Sequence, residues 1–434
     1  MQILVIGSGG REHAVIKALK KSPKVDALYC CPGNGGIAAD ATCIPIKATD
    51  IEGVVAFAKE KAIDLVFVTP DDPLVLGMVD ALEEAGIRAF GPRKNAAILE
   101  GSKVFSKNLM KKYGIPTAAY ETFDDPQKAI AYIENFNRYP IVIKADGLAL
   151  GKGVLIAGSF GEAKEAVKSI MEDKAFGQSG NHIVVEEFLE GVEVSVLAFT
   201  DSKTVCPMPS SMDHKRAFDG DQGLNTGGMG TICPNPLYTP AIAQRCQKEI
   251  FEPTIAAMAK EGRPFRGVLY FGLMLTEKGP YVIEYNCRFG DPETQVILPL
   301  LKTDLVEIIE AVEKGALSQL DIQWEDAAAA CVILASGGYP QSYEKGLPIS
   351  GLDAHGQADG VTIYHAGTAL ADGGYKTAGG RVLGVTAVAP TLREALDAAY
   401  AAAGKIDFPK KQFRTDIDIS DNSPGWKFAQ WEMK

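Results

Sequence analysis

The run QILVIGSGGREHA, from Gln2 to Ala14, narrows the possible folds more than any other stretch of the chain. An unbroken apolar strand ends in glycines and passes directly into a helical pattern from about Arg11 to Lys21. A second strand of the same kind, DLVFVTP, follows at Asp64 to Pro70. Apolar strands alternating with amphipathic helices predict a parallel sheet with helices on its faces, so roughly the first hundred residues are expected to be doubly wound.

Beyond this unit the pattern changes. EGSKVFSKNLMKKYGIP predicts a helix with Ser102 as N-cap, Gly114 just past its end and Pro116 after that. Strand-rich segments then recur at IVIKADGLALGKGVLIAG, HIVVEEFLEGVEVSVLAF and GVLYFGLML, with a helix near Glu162 to Glu172, which describes an α+β block. The last third carries AAAACVILASGGYP, GVTIYHAGTAL and GGRVLGVTAVAP, then a helix with a capping box at Thr391 and Glu394 and a stop at Gly404. Boundaries near Gly101 and Trp324 divide the 434 residues into domains 1–101, 102–324 and 325–434.

Composition excludes several classes of function. With 46% hydrophobic and 23% charged residues the chain is an ordinary soluble globular protein, and no apolar run is long enough to span a membrane. A net charge of -11 argues against nucleic acid as a partner, although a cleft inside an acidic protein can still be locally positive. The eight cysteines lack metal-ligand spacing and Cys30 adjoins Cys31, the five histidines are scattered, and the N-terminus has no signal-peptide pattern. A reduced, cytoplasmic protein without a zinc site is expected.

Five segments carry candidate chemistry. In VIGSGGREHA the glycines at a helix N-terminus suit a phosphate, a dinucleotide or simply close helix packing. The acidic residue that a ribose-binding dinucleotide fold needs at the end of its second strand is missing, because Cys30, Cys31 and Pro32 stand there. In IVIKADGLALGKGVLIAG, Lys144 ends an apolar strand beside Gly147, Gly151, Lys152 and Gly153: either a glycine-rich hairpin with solvated lysines or an anion site. Lys103 opposes the dipole of its helix unless an anion lies near. VVEEFLEGVEVSV gathers Glu186, Glu187 and Glu193 around a short connection. SMDHKRAFDGDQGLNTGGMG is long, charged and glycine-rich, which suits either disorder or function. Finally, VIEYNCRFGDPE places Glu284 and Asn286 on one face of a strand, with Ile283 and Tyr285 on the other and Arg288 just beyond.

Taken in order, GGREHA, PGNGG, EGSKVFSK, KADGLALGKGV, VEEFLEGVEVS, DHKRAFDGDQGLNTGGMG, EYNCRFGDPETQ, HAGT and GGRVL resemble the glycinamide ribonucleotide synthetases of the ATP-grasp superfamily over nearly the whole chain. The resemblance implies a multidomain protein of α/β and α+β class. A doubly wound, Rossmann-like domain precedes a central ATP-grasp domain, whose glycine-rich-loop subdomain covers about 120–190, and a small α+β domain ends the chain. It implies a ligase that joins glycine to 5-phosphoribosylamine with ATP through a glycyl phosphate, in purine biosynthesis, with no obligatory protein partner. DHKR and NTGGMG argue against other ATP-grasp ligases of purine synthesis.

By the same resemblance, Lys144, Asp213, Lys215 and Arg288 form the catalytic set. ATP falls to Lys103, Lys144, Gly147, Gly151, Lys152, Gly153, Glu186, Glu187, Leu189 and Glu193, with the glutamates and Leu189 around adenine and ribose. Gly9, Gly10 and Arg11, with Arg381, take the phosphoribosylamine phosphate. Asp213, Arg288 and Asp291 complete the substrate set; it is their charge, not the resemblance, that points Asp213 to the glycine ammonium and Arg288 to its carboxylate or the acyl phosphate. Glu284 and Asn286 are expected to hold Mg²⁺ or Mn²⁺, a hard cation that fills its shell with phosphate oxygens and water. VLYFGLML offers no carboxylate from the preceding strand. Two departures from the family pattern stand out: TPDDPL, with Asp71 in place of a longer acid, and Leu150 in place of a small loop residue.

Overall fold

The N-terminal unit of the computed structural model, which describes residues 1–148 and 153–418, is a five-stranded parallel sheet. Its strands lie in the spatial order Thr42–Cys43, Ala27–Pro32, Gln2–Gly7, Leu65–Val68 and Ala89–Phe90. Ile3 and Val5 enter one apolar core while Leu4 and Ile6 enter another. Burial on both faces explains why this strand is apolar at every step. The chain leaves Gln2–Gly7 toward one side of the sheet and returns on the other, so the turn at Ser8 and Gly9 opens at the switch point where such sheets form their crevice.

Two four-stranded antiparallel sheets build the centre. The first orders Tyr120–Phe123, Ile183–Glu187, Ile141–Ala145 and Val154–Ala157, with helices Pro126–Phe136 and Phe160–Val167 sharing its core. The second orders Val205–Pro207, Val192–Asp201, Arg266–Thr276 and Gly279–Asn286. Residues 188–191 connect the two. Helix Lys103–Tyr113 has the expected ends: the Ser102 hydroxyl accepts from Phe105 N at 3.1 Å, and Gly114 adopts φ +68°. The capping box of Thr391 and Glu394 opens helix Leu392–Ala403 as expected.

The last sheet crosses the expected boundary at Trp324. Met212–Asp213 pairs with Gly230–Cys233, both from the middle of the chain; Gly230–Cys233 pairs with Ala328–Ser336, which pairs with Arg381–Ala389, and Thr362–His365 closes the far edge on Arg381–Ala389. Between those early strands the glycine-rich segment forms a hairpin, Arg216–Phe218 with Gln222–Asn225. Arg414 ties that hairpin down by reaching Asp221 at 2.8 Å, and Thr415 N donates to Asp219 Oδ1 at 2.8 Å. Order in this segment is therefore supplied by residues near the end of the described chain.

One expectation about side-chain direction is corrected. Opposite Gly272 and Leu273 the register slips, so Ile283 has no cross-strand partner between Val282 and Glu284. This bulge lets Val282 and Tyr285 enter the same core, which strict alternation forbids, while Ile283 stays outside it. Glu284 and Asn286 still share a face. Among the described residues no helix is long and apolar enough to cross a membrane, and all eight cysteines are free thiols.

Candidate active site

The two central sheets face each other across a cleft, and lysines join them. Lys144 reaches Glu186 Oε1 at 3.1 Å and donates to the carbonyl of Ile283, the bulged residue, at 3.0 Å. Lys107 takes the other carboxylate oxygen of Glu186 at 3.0 Å. Lys103 donates to Gly147 O at 2.8 Å, and burial holds its ammonium below the usual lysine range. Its helix N-terminus is capped by Asp146, which accepts from Val104 N at 3.1 Å and from the Ser102 hydroxyl at 3.1 Å. The anion that offsets Lys103 at the positive end of this helix is thus an aspartate of the chain. Gly147, at φ +90°, lies so close to Ser179 that a Cβ would stand 2.9 Å from its hydroxyl.

Glu186 departs from its expected place. It lies within strand Ile183–Glu187, not in the connection, and both its oxygens face lysines. Glu187, the last residue of the same strand and so also outside the connection, is exposed and accepts from Ala119 N at 3.0 Å, while half-buried Leu189 lies in the connection itself. Gly153 O accepts from Ala145 N at 2.8 Å, closing the base of the glycine-rich loop. Gly151 and Lys152 lie outside the described residues, as does Leu150.

Across the cleft, Lys215 bridges Glu193 at 2.9 Å and Glu284 at 3.9 Å. Burial opposes the charge on Lys215, but Glu193, Glu284, Tyr270 and Asp213 outweigh it and lift the ammonium well above its usual range. Burial likewise pushes Glu284 up, yet Lys215, Lys144, Lys103 and Arg288 leave its carboxyl below the usual value, so it is an anion at neutral pH. Asn286 stands opposite Tyr270 in the neighbouring strand. Among the described residues no group of three or more His, Cys, Asp or Glu side chains is placed to hold a metal. Glu284 and Asn286 offer one carboxylate and one amide oxygen from the same strand, the donor chemistry that a hard cation takes.

A second region lies where the three units meet. Arg11 and Arg288 both donate to Phe289 O, at 3.3 and 3.2 Å. Arg11 also pairs with Glu12 at 2.7 Å, while Arg288 lies 3.3 Å from Glu100 and 3.9 Å from Asp71. The shorter acid at Asp71 thus still reaches a guanidinium. Burial lifts Glu100 to about 7 despite Arg288 beside it. Arg381 pairs with Asp291 at 3.0 Å and donates to Gly227 O at 2.6 Å. One prediction needs correction here: Gly9 N donates to Glu12 Oε2 at 2.6 Å, so that amide is held by a side chain of its own helix. A Cβ at Gly10 would stand 2.7 Å from the amide of Gln295, the closeness that requires glycine there.

Asp213 lies between the two regions. Its Oδ1 is buried without a hydrogen-bond partner, and no described lysine or arginine forms an ion pair with it. Burial and the nearby Glu293 push its carboxyl well above the ordinary range. Gly228, at φ +116°, packs so tightly that a Cβ would stand 2.5 Å from that oxygen.

Family models for phosphoribosylglycinamide synthetase match the chain three times: the N domain over residues 1–100, the ATP-grasp (A) domain over 101–294 and the C domain over 329–419. The chain belongs to the phosphoribosylglycinamide synthetase family. It is 48% identical to a phosphoribosylamine–glycine ligase of Caldanaerobacter subterraneus subsp. tengcongensis over 96% of this chain and 99% of that one. Identity reaches 50% with the ligase of Agrobacterium fabrum, over 96% and 98% of the two chains. The crystal structure of the Thermotoga maritima phosphoribosylamine–glycine ligase superimposes with a TM-score of 0.85 at 36% identity, over 96% of this chain and all of that one. The biotin carboxylase domain of Hydrogenobacter thermophilus 2-oxoglutarate carboxylase, at 18% identity, shares the fold, with a TM-score of 0.73 over 95% and 91% of the chains.

Against this family frame, sequence reasoning passed over Lys107, Glu100, Asp146 and Glu12. Lys107 had a readable signal: it follows Lys103 by one helical turn inside EGSKVFSK, on the same helix face. Glu12 stands at N3 of helix Gly10–Leu19, the position from which a carboxylate caps its own helix. Glu100 and Asp146 had no comparable signal, since their partners come from distant segments.

Proposed function

We infer that this chain is an ATP-dependent ligase that joins glycine to 5-phosphoribosylamine, giving glycinamide ribonucleotide, ADP and phosphate in de novo purine biosynthesis. The observation that carries the reading is the pairing of an under-neutralised lysine cluster with the Glu284 and Asn286 face across one cleft, in a chain that matches its family from end to end. A carboxylate is a poor acyl donor, so glycine must first accept a phosphoryl group from ATP. That transfer depends on positioning and charge neutralisation.

Lys103 and Lys144 neutralise the phosphates at the mouth of the glycine-rich loop, framed by Gly147 and Gly153 with Gly151 and Lys152 between. Glu187 at the end of its strand and Leu189 in the connection line the adenine side. Glu193, held by Lys215, meets the ribose. Glu284 and Asn286 would hold Mg²⁺ or Mn²⁺, which when bound supplies positive charge to the phosphate oxygens.

Arg288 faces the glycine carboxylate and Asp213 its ammonium, an assignment supported by the unpartnered Asp213 oxygen. Arg11, Gly10 and Arg381 receive the 5-phosphate of phosphoribosylamine, with Asp291 orienting Arg381. The amine then attacks the acyl carbon, the amide bond forms and phosphate leaves with one former carboxylate oxygen. Reduced thiols suit a cytoplasmic setting. Release of ADP from ATP, followed with and without glycine and phosphoribosylamine, tests the reading: full turnover requires both. Turnover that ignores either substrate would contradict it.

A further inference from the structure

Lys107 stands one turn beyond Lys103 on helix Lys103–Tyr113, among its buried residues. Its ammonium lies 3.0 Å from Glu186 Oε2 and donates to Thr117 Oγ1 at 2.7 Å. The Thr117 hydroxyl in turn donates to Val282 O at 2.8 Å. Lys144 lies 3.1 Å from the other oxygen of the same carboxylate. Lys107, Lys144 and Glu186 are 2%, 4% and 3% exposed, so one buried carboxylate is shared by two buried ammoniums.

Charge balance decides what this arrangement does. Lys144 paired alone with Glu186 would be neutral as a unit and would offer little field to an incoming anion. The second lysine restores one net positive charge to the corner. Keeping that charge desolvated is costly: burial draws Lys107 down to about 8, against the pull of Glu186. A neutral side chain of similar length would fill the same space without that penalty. The cost makes physical sense where an anion arrives to meet the charge.

We propose that Lys107 is a positioning residue for phosphoryl transfer: by holding one oxygen of Glu186 it prevents that carboxylate from neutralising Lys144, which then meets the nucleotide phosphates. The proposal rests on the assignment of Lys144 to those phosphates. Four variants of the full chain test it, Lys107→Met, Glu186→Gln, the two combined, and Lys144→Met. For each, kcat and KM for ATP are measured at saturating glycine and phosphoribosylamine, alongside thermal unfolding.

Lys107→Met should lower kcat roughly tenfold to a hundredfold, the scale of a weakened electrostatic contact. With Glu186 made neutral, no carboxylate is left for Lys107 to hold away from Lys144, so the combined variant should match Glu186→Gln alone in kcat to within about threefold. That comparison also decides the matter if Lys107→Met alone does not fold. A combined variant far slower than Glu186→Gln, with losses that add and follow thermal stability, would mean that Lys107 is only a structural tie and would overturn the proposal. Lys144→Met reports on the underlying assignment: wild-type kcat in that variant would remove the phosphate role of Lys144, and the proposal with it.

Discussion

The cleft between the central sheets and the seam where the three units meet treat positive charge in opposite ways. In the cleft, among the described residues, Lys103 donates to a carbonyl and forms no ion pair, and Lys107 and Lys144 share the single carboxylate of Glu186. In the seam every arginine has an acid of its own: Arg11 has Glu12, Arg288 has Glu100 and Asp71, and Arg381 has Asp291. Positive charge left over where Lys107 and Lys144 share one carboxylate suits a polyphosphate, which brings several negative charges at once. Guanidiniums oriented in advance by carboxylates suit smaller anions, where direction matters more than total charge. The difference separates a nucleotide half of the site from a substrate half.

The largest expected effect tests the cleft. Glu284→Gln keeps the size of the side chain and removes its charge, so turnover at saturating Mg²⁺ should fall at least about a hundredfold while thermal unfolding is little changed. Near-normal turnover would remove Glu284 from the metal site.

Next in size is discrimination between amino acids at the junction of the two halves. Gly228 already presses against Asp213, with no room for a Cβ at Gly228 itself, and the Thr226 to Gly230 turn packs against the proposed ammonium site. L-alanine should therefore have a kcat/KM lower than that of glycine by roughly tenfold to two-hundredfold, the range that one extra carbon commands in a fitted pocket. Equal values would place the glycine site elsewhere.

A smaller effect separates the halves directly. Arg11→Ala removes a guanidinium from the seam and nothing from the cleft, so calorimetry should show phosphoribosylamine binding weakened by roughly tenfold to a hundredfold and ATP binding nearly unchanged. Selective loss of ATP affinity would move the nucleotide into the first domain and erase the distinction.

What could be read from the residues alone follows from the range of the interactions. The N-terminal sheet was legible because Ile3, Leu4, Val5 and Ile6 are apolar in succession, and the ends of helix Lys103–Tyr113 because Ser102 and Gly114 act within a few residues. The shared face of Glu284 and Asn286 follows from strand geometry and survives the bulge beside it. Long-range features were not legible. Strands as short as Met212–Asp213 carry no periodicity, and their place in the last sheet depends on Ala328–Ser336 far along the chain. The role of Glu186 depended on two lysines from separate elements, and the Gly9 amide was taken by a carboxylate instead of being left for a phosphate. In each case a chain group occupied the place expected for a ligand or for solvent.

The smallest expected effect concerns the back of the seam, where His365 N donates to His13 Nδ1 at 2.8 Å and joins the first and last units. Burial draws His365 down to about 4, while in the unfolded chain it titrates near its ordinary value of 6.5. Below that value the unfolded state binds the extra proton and the folded state does not, so stability is full above 6.5 and is lost as pH falls toward 4. Denaturant unfolding should show about 1 kcal/mol lost from this group by pH 5.5. His13, also lowered by burial, adds in the same direction. His365→Asn should flatten the slope, and an unchanged slope would assign it to other groups.

The division of labour exists to make glycine's carboxylate an acyl donor, and isotope transfer tests that most directly. Glycine labelled with ¹⁸O in its carboxyl group, turned over with ATP and phosphoribosylamine, should deliver one labelled oxygen to each inorganic phosphate released, as read by mass spectrometry. Phosphate that emerges unlabelled from a complete reaction would contradict the acyl phosphate, and with it the account of why the lysine cleft faces the arginine seam.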